Sequence, residues 1–127
     1  MNENEIGTLI VKAAIEVHRE LGPGLLESVY EAALAHELVC AGLDIKVQFP
    51  IPVRYKDIAF DIGFRMDIWV NEKVVIELKS VERITPVHRK QLQTYLRLSN
   101  SQLGYLLNFG SALMKEGIVR AVNGLPE

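Results

Sequence analysis

The chain has 127 residues, of which 49% are hydrophobic and 24% charged, a composition typical of an ordinary globular protein with one domain over residues 1–127. The formal net charge of −2 argues against tight, nonspecific binding of nucleic acid through bulk charge, and the single cysteine, Cys40, excludes an internal disulfide framework. No apolar run approaches the roughly 18–20 residues of a membrane span, so we expect a cytoplasmic protein without membrane association.

Hydrophobic periodicity predicts secondary structure along most of the chain. Two helices are predicted first, over residues 5–21 and 26–41, and glycines follow each of them. The later elements are strands over 48–55, 58–70 and 74–81, a helix over 86–98, a strand over 103–109 and, over 117–122, either a strand or a helix. Thr85 is the expected N-cap of the third helix, with Pro86 at its first position. This order predicts an α/β (α+β) layer fold with a crossing helix.

Three charged residues interrupt the apolar strands over 58–70 and 74–81, namely Asp67, Glu77 and Lys79. Charge inside a buried strand is costly unless it is paired or binds a metal. Two interpretations are open from these residues alone. One is a metal site with a catalytic lysine, and the other is a structural network of ion pairs in which Arg65 joins the three.

A hairpin register brings these charges together. If Val70 lies opposite Val74, the apolar face holds Ile68 opposite Ile76 and Met66 opposite Leu78, and the other face holds Asp67 opposite Glu77 and Arg65 opposite Lys79. A slip by one residue would mix apolar and charged positions on both faces. The loop between the strands then has three residues and puts Lys73 at the position that favours a left-handed backbone, unless a bulge replaces it.

The spacing of Asp67 and Glu77-Leu78-Lys79 resembles the motif of the PD-(D/E)XK nuclease superfamily, with Met66 in place of the usual proline. Gln91 and Tyr95 match the Q-x-x-x-Y motif of its lambda-exonuclease and RecB-like branch. Gly24, Glu27 and Tyr30 match the signature of a small bacterial and archaeal family named G-x-x-E-x-x-Y, which belongs to the same superfamily. The similarity extends over roughly residues 6–122.

The resemblance implies a restriction-endonuclease-like core, with a central mixed β-sheet flanked by helices, that hydrolyses phosphodiester bonds in DNA during repair, recombination or defence. It implies Mg²⁺ or Mn²⁺ as the cofactor. The implied metal ligands are Asp67, Glu77, the carbonyl of Leu78 and Glu27, and the implied catalytic residues are Asp67, Glu77, Lys79, Gln91 and Tyr95. His88 and Arg89, from a basic stretch that also holds Arg83, Lys90 and Arg97, would contact the substrate backbone.

Other interpretations of single residues and of the whole chain stay open. Glu27 also suits the first turn of a helix, Tyr95 suits a core position, and the basic stretch suits a solvated helix face. Trp69 suits either base stacking or packing. The main alternative function is a non-catalytic module that binds nucleic acid or protein, and hydrolysis of another phosphate ester is a third. A homodimer or a protein partner is possible in each case.

Overall fold

The computed structural model describes residues 1–126, and the side chains of residues 61 and 62 lie outside the described part. The helices are α1 (Glu3–Leu21), α2 (Glu27–Cys40) and α3 (Pro86–Ser99). The strands are β1 (Ile45–Tyr55), β2 (Ile58–Val70), β3 (Val74–Lys79), β4 (Leu103–Asn108) and β5 (Ile118–Val122). Most predicted bounds agree with these within about three residues, and the uncertain segment 117–122 is a strand that follows a short 3₁₀ turn, Met114–Gly117.

The strands form one mixed sheet in the order β1-β2-β3-β4-β5. Neighbouring strands pair antiparallel except β3 and β4, which are parallel because α3 carries the chain back between them. Helices α1 and α2 cover one face of the sheet, and α3 covers the other. The predicted mixed sheet flanked by helices is confirmed. No helix in the described part is long and apolar enough to span a membrane.

Helix α3 starts at Pro86, where the sequence predicts, and its N-terminal cap includes His88, a residue that was expected to contact the substrate. Thr85 accepts a hydrogen bond from the backbone N–H of His88, and the Nδ1 atom of His88 accepts one from the N–H of Thr85 at 3.1 Å. This reciprocal cap satisfies two amides that the first turn would otherwise leave without partners.

The predicted register of the β2–β3 hairpin is confirmed for its first pairs, Val70 with Val74 and Ile68 with Ile76. The ladder ends there, because the carboxylate of Asp67 accepts the N–H of Leu78, which would otherwise bond to a strand backbone. Arg65 therefore does not pair with Lys79 but lies opposite Pro50 of β1.

Two details of the hairpin prediction are wrong. Met66 does not share the face of Ile68: it packs in the core beneath α3, because the alternation of side chains breaks beside Gln48 of β1, whose φ is 52°. The left-handed residues of the loop are Asn71 and Glu72, with φ of 51° and 52°, rather than Lys73. Asn71 is held there by hydrogen bonds with the backbone of Asp44.

The β1–β2 hairpin extends beyond the rest of the sheet. Its two strands pair with each other from Ile45–Val70 to Tyr55–Ile58, whereas β3 pairs with β2 only at residues 68–70. The ladder between β2 and β3 thus ends directly beside Asp67, and the distal part of the hairpin leans over α3. This divergence of two neighbouring strands creates the space in which the charged residues lie.

Candidate active site

Asp67 and Glu77 are linked by hydrogen bonds at the point where β2 and β3 diverge. The N–H of Asp67 donates to Oε1 of Glu77 at 3.3 Å, and the N–H of Leu78 donates to Oδ2 of Asp67 at 2.8 Å. Each strand thus holds the carboxylate of the other through its backbone. This arrangement fixes both acids without any cationic side chain.

Glu77 is buried, with 7% of its surface exposed. Burial first, and the negative charge of Asp67 second, raise the pKa of its carboxyl from the ordinary value of 4.5 to about 8. The hydrogen bond from the N–H of Asp67 and the charge of Lys79 oppose this rise. Among the described residues, no lysine, arginine or histidine lies within ion-pair distance of Asp67 or Glu77. The structural network of ion pairs with Arg65 and Lys79 is therefore absent from this site.

Two residues that the sequence did not single out complete the acidic cluster. The amide nitrogen Nε2 of Gln48 donates to Oε2 of Glu31 at 2.7 Å and to Oδ1 of Asp67 at 3.1 Å. Burial raises the pKa of Glu31, and the charges of Asp67 and Glu27 add to that rise, against the hydrogen bond from Gln48. Gln48 thus connects helix α2 to the end of β2 through a single side-chain amide.

Glu27 is exposed and lies one turn before Glu31 in α2, on the same side of the helix. Glu31, rather than Glu27, shares a hydrogen-bond donor with Asp67. The four-residue spacing of these two acids was a signal that could have identified Glu31. Nothing in the sequence pointed to Gln48, because a glutamine with positive φ inside a strand has no characteristic pattern.

The segment before α2 is tied to the end of β3. Tyr30 is fully buried and stacks on Phe109, with ring centroids 4.5 Å apart. Its hydroxyl donates to the carbonyl of Gly22 at 2.5 Å and accepts the N–H of Leu25 at 3.1 Å. The hydroxyl of Ser80 then donates to the carbonyl of Leu25 at 2.7 Å. Tyr30 is a packing residue that sets the position of the first turn of α2 beside the acids.

Lys79 ends β3, two residues after Glu77, and is half-buried. Its ammonium group is close enough to lower the pKa of Glu77, yet it forms no ion pair within 4.0 Å in the described part of the chain. A lysine in this position can direct its N–H groups toward an anion that enters between the strands.

Tyr95 reaches the acids from α3, whereas Gln91 stays at the surface. The ring of Tyr95 stacks on Phe64 of β2 at 3.8 Å, and burial followed by the charges of Glu77 and Asp67 raises the pKa of its hydroxyl. Gln91 lies one turn earlier on the same side of the helix and is exposed. The Q-x-x-x-Y pair therefore borders the site, with only Tyr95 close to the carboxylates.

The two predicted substrate contacts lie elsewhere on α3. His88 caps the helix through Nδ1 and is half-exposed. Arg89 is exposed and lines a cleft of about 370 Å³ with Arg83, Glu82 and Val119, on the side of α3 that faces β5. Trp69 is packed rather than available for stacking, because it contacts Phe49 and donates its Nε1–H to Ser101 at 3.1 Å.

The donor set suits a hard divalent cation. Asp67 and Glu77 supply carboxyl oxygens, and a bound cation would offset the burial and the charge of Asp67 that raise the pKa of Glu77. Within the described residues, no group of three or more His, Cys, Asp and Glu side chains is arranged as a metal cage. Mg²⁺ needs none, since it is bound through one or two carboxylates and keeps waters and substrate phosphates as its other ligands.

Comparison with protein-family models gives a match to the PD-(D/E)XK nuclease superfamily over residues 4–121. Searches of the curated proteins and of the solved structures give no significant match. The finer resemblance to the G-x-x-E-x-x-Y family stays a prediction. The matched range contains both strands of the acidic site, the helix that supplies Tyr95 and the crossing between β3 and β4. The chain belongs to the PD-(D/E)XK nuclease superfamily.

Proposed function

We propose that this protein is a nuclease that hydrolyses phosphodiester bonds in DNA with the help of a bound Mg²⁺ or Mn²⁺. Nucleases of this superfamily generally use divalent metals. The observation that carries the proposal is the pair of acids, Asp67 and Glu77, held by backbone hydrogen bonds and left without an ion-pair partner among the described residues. Glu77 keeps its proton at neutral pH, because burial and the charge of Asp67 raise its pKa to about 8, and a bound cation would favour its ionised form.

The proposed metal ligands are the carboxylates of Asp67 and Glu77 and the carbonyl of Leu78, with Glu31 or Glu27 available to orient bound water. The cation would lower the pKa of a bound water and offset negative charge on the scissile phosphate. Lys79 orients the attacking water and stabilises charge on the phosphate oxygens. Tyr95 borders the phosphate, with Gln91 beside it on the helix surface. The water oxygen attacks phosphorus and gives up a proton to solvent, one P–O ester bond breaks, and the leaving oxygen takes up a proton from solvent.

The test is cleavage of single-stranded, duplex, flapped and branched DNA by purified protein with Mg²⁺, Mn²⁺ or EDTA. We expect metal-dependent cleavage that falls by at least about 100-fold in Lys79→Ala and in Asp67→Asn, because each removes charge needed at the transition state. Lys12→Ala, an exposed lysine of α1 beside the C-terminal end of α2 rather than its first turn, is the matched control and should cleave at the normal rate. Unchanged cleavage in Lys79→Ala would contradict the site.

The exposed cations of α3, Arg89, Lys90 and Arg97, favour one competitor, a non-catalytic module that binds nucleic acid or protein. The two functions differ in their need for metal. Binding of DNA that is unaffected by Asp67→Asn and occurs equally in EDTA, with no cleavage of any substrate, would favour the binding module.

A further inference from the structure

A second surface feature lies next to the acids, between the projecting part of the β1–β2 hairpin and the outer side of α3. This hairpin groove is a mostly apolar cleft of about 440 Å³, lined by Val53, Phe60, Gly63, Phe64, Thr94 and Leu98. Phe60 and Leu98 are each 36% exposed, so the groove presents one aromatic and one aliphatic side chain to solvent from opposite walls. Single exposed apolar side chains are common on protein surfaces, so the case for a binding site depends on the charges around the groove and on its link to the acids.

The hairpin groove is physically continuous with the acidic site. Phe64 forms part of the groove and stacks on Tyr95 at 3.8 Å with their planes 3° apart. Tyr95 in turn is close enough to Glu77 and Asp67 for their charges to act on its hydroxyl. A chain lying in the groove would therefore reach the acids by passing one pair of stacked rings.

The charges around the groove suit an anionic occupant. Helix α3 and strand β1 contain no acidic residue. Lys90 and Arg97 lie on the exposed side of α3 together with Thr94, and Lys56 lies at the tip of the hairpin over the ring of Tyr55. The acids of the hairpin's distal half are Asp57, in its turn, and Asp61, whose side chain lies outside the described part. A second copy of this chain would bring two cationic walls together, so like-charge repulsion opposes a dimer through this face.

We propose that the hairpin groove binds the bases of an unpaired DNA strand and delivers its backbone to Asp67 and Glu77. The inference rests on the proposed nuclease function and adds its substrate class. An unpaired base has a free π-face that stacks on an exposed aromatic ring, whereas the bases of a duplex stack on each other. The cations of α3, with Lys56 at the tip of the hairpin, then pair with the phosphates between successive bases.

The experiment measures binding of fluorescent oligothymidine and of a blunt duplex by anisotropy, in EDTA, with Lys79→Ala protein so that no strand is cut. We expect tighter binding of the single strand. Phe60→Ala should weaken it about 5- to 150-fold, the range for loss of one stacked base, and leave the duplex unchanged. Leu98→Ala, on the α3 side of the groove, should also weaken binding of the single strand. This second variant tests the proposal even if Phe60→Ala does not fold.

Leu113→Ala is the matched control, since Leu113 is 52% exposed in a different apolar cleft, beside Ile15 and Met114. Single-strand binding that is unchanged in both groove variants would overturn the proposal. So would a dimer, seen by sedimentation, that Phe60→Ala dissociates. If Phe60→Ala weakens single-strand binding but the wild type cleaves no substrate, the groove proposal stands and the proposed nuclease function is wrong. If the wild type cleaves DNA but neither Phe60→Ala nor Leu98→Ala weakens single-strand binding, the nuclease function stands and the groove proposal is wrong.

Discussion

Glu77 makes the stability of the metal-free protein depend on pH. Its carboxyl loses its proton near pH 4.5 in the unfolded chain but near pH 8 in the folded one. Between these values the folded state binds more protons, so the free energy of unfolding falls as pH rises, by up to about 1.4 kcal/mol per pH unit from this group. We expect this loss to begin above pH 4.5 and to be complete above pH 8.

Urea unfolding in EDTA at a series of pH values measures this dependence. Glu77→Gln removes the titrating group, so its stability should fall less steeply than that of the wild type. Asp67→Asn lowers the repulsion on Glu77 and should stabilise the metal-free protein at pH 8. Curves for wild type and Glu77→Gln that stay parallel from pH 5 to 8 would show that Glu77 is not the buried acid described here.

At the scale of single residues, the sequence predicted the acids and missed what holds them. Asp67, Glu77 and Lys79 were recognisable because charge interrupts apolar strands. Gln48 was not, since its left-handed backbone and its contacts with Glu31 and Asp67 depend on packing between β1 and α2. A side-chain amide that bridges two elements leaves no periodic signal along the chain.

The element that positions the first turn of α2 depends on the hydroxyl of Tyr30. Tyr30→Phe keeps the stack on Phe109 but leaves the carbonyl of Gly22 and the N–H of Leu25 without their partner. We expect a loss of about 0.5–1.5 kcal/mol in the free energy of unfolding, the usual net contribution of a hydrogen bond, because both groups are only partly buried. Equilibrium unfolding in urea measures it.

Tyr55→Phe provides the comparison, since Tyr55 is 60% exposed at the end of β1 and should lose almost nothing. Because Leu25 also accepts the hydroxyl of Ser80 at the end of β3, Tyr30→Phe should lower cleavage as well as stability. If Tyr30→Phe and Tyr55→Phe are equally stable, the hydroxyl of Tyr30 does not hold the first turn of α2 in place.

The β2–β3 hairpin indicates which features of an element are predictable. Alternation of apolar residues fixed the pairs Val70–Val74 and Ile68–Ile76, because a slipped register would bury charge. The same alternation misplaced Met66, because it breaks beside the left-handed Gln48 of β1 and the side chains beyond Asp67 change face. A strict period-2 pattern holds only while both paired strands stay extended, and here it breaks at the candidate site itself.

At the scale of the whole molecule, the order of elements and three short motifs were enough to predict the fold. The crossing helix between β3 and β4 required a parallel pair, and the structure has one. The extension of the β1–β2 hairpin and the groove against α3 were not predicted, since contacts between Phe64 and Tyr95 join residues far apart in sequence. The net charge of −2 is also an average over two different regions. Helix α3 contains no acidic residue, and it lies beside a cluster of four acidic residues, Glu27, Glu31, Asp67 and Glu77.

The measurement that tests the central claim most directly is calorimetric titration of Mn²⁺ into metal-free protein at pH 7, in two buffers with different protonation enthalpies. We expect one ion to bind the wild type and Lys79→Ala, with release of about one proton, because Glu77 holds its proton until about pH 8 and must lose it to act as a ligand. Asp67→Asn should bind much more weakly. Binding that is absent in the wild type, or equally strong in Asp67→Asn, would contradict a metal site at these two acids.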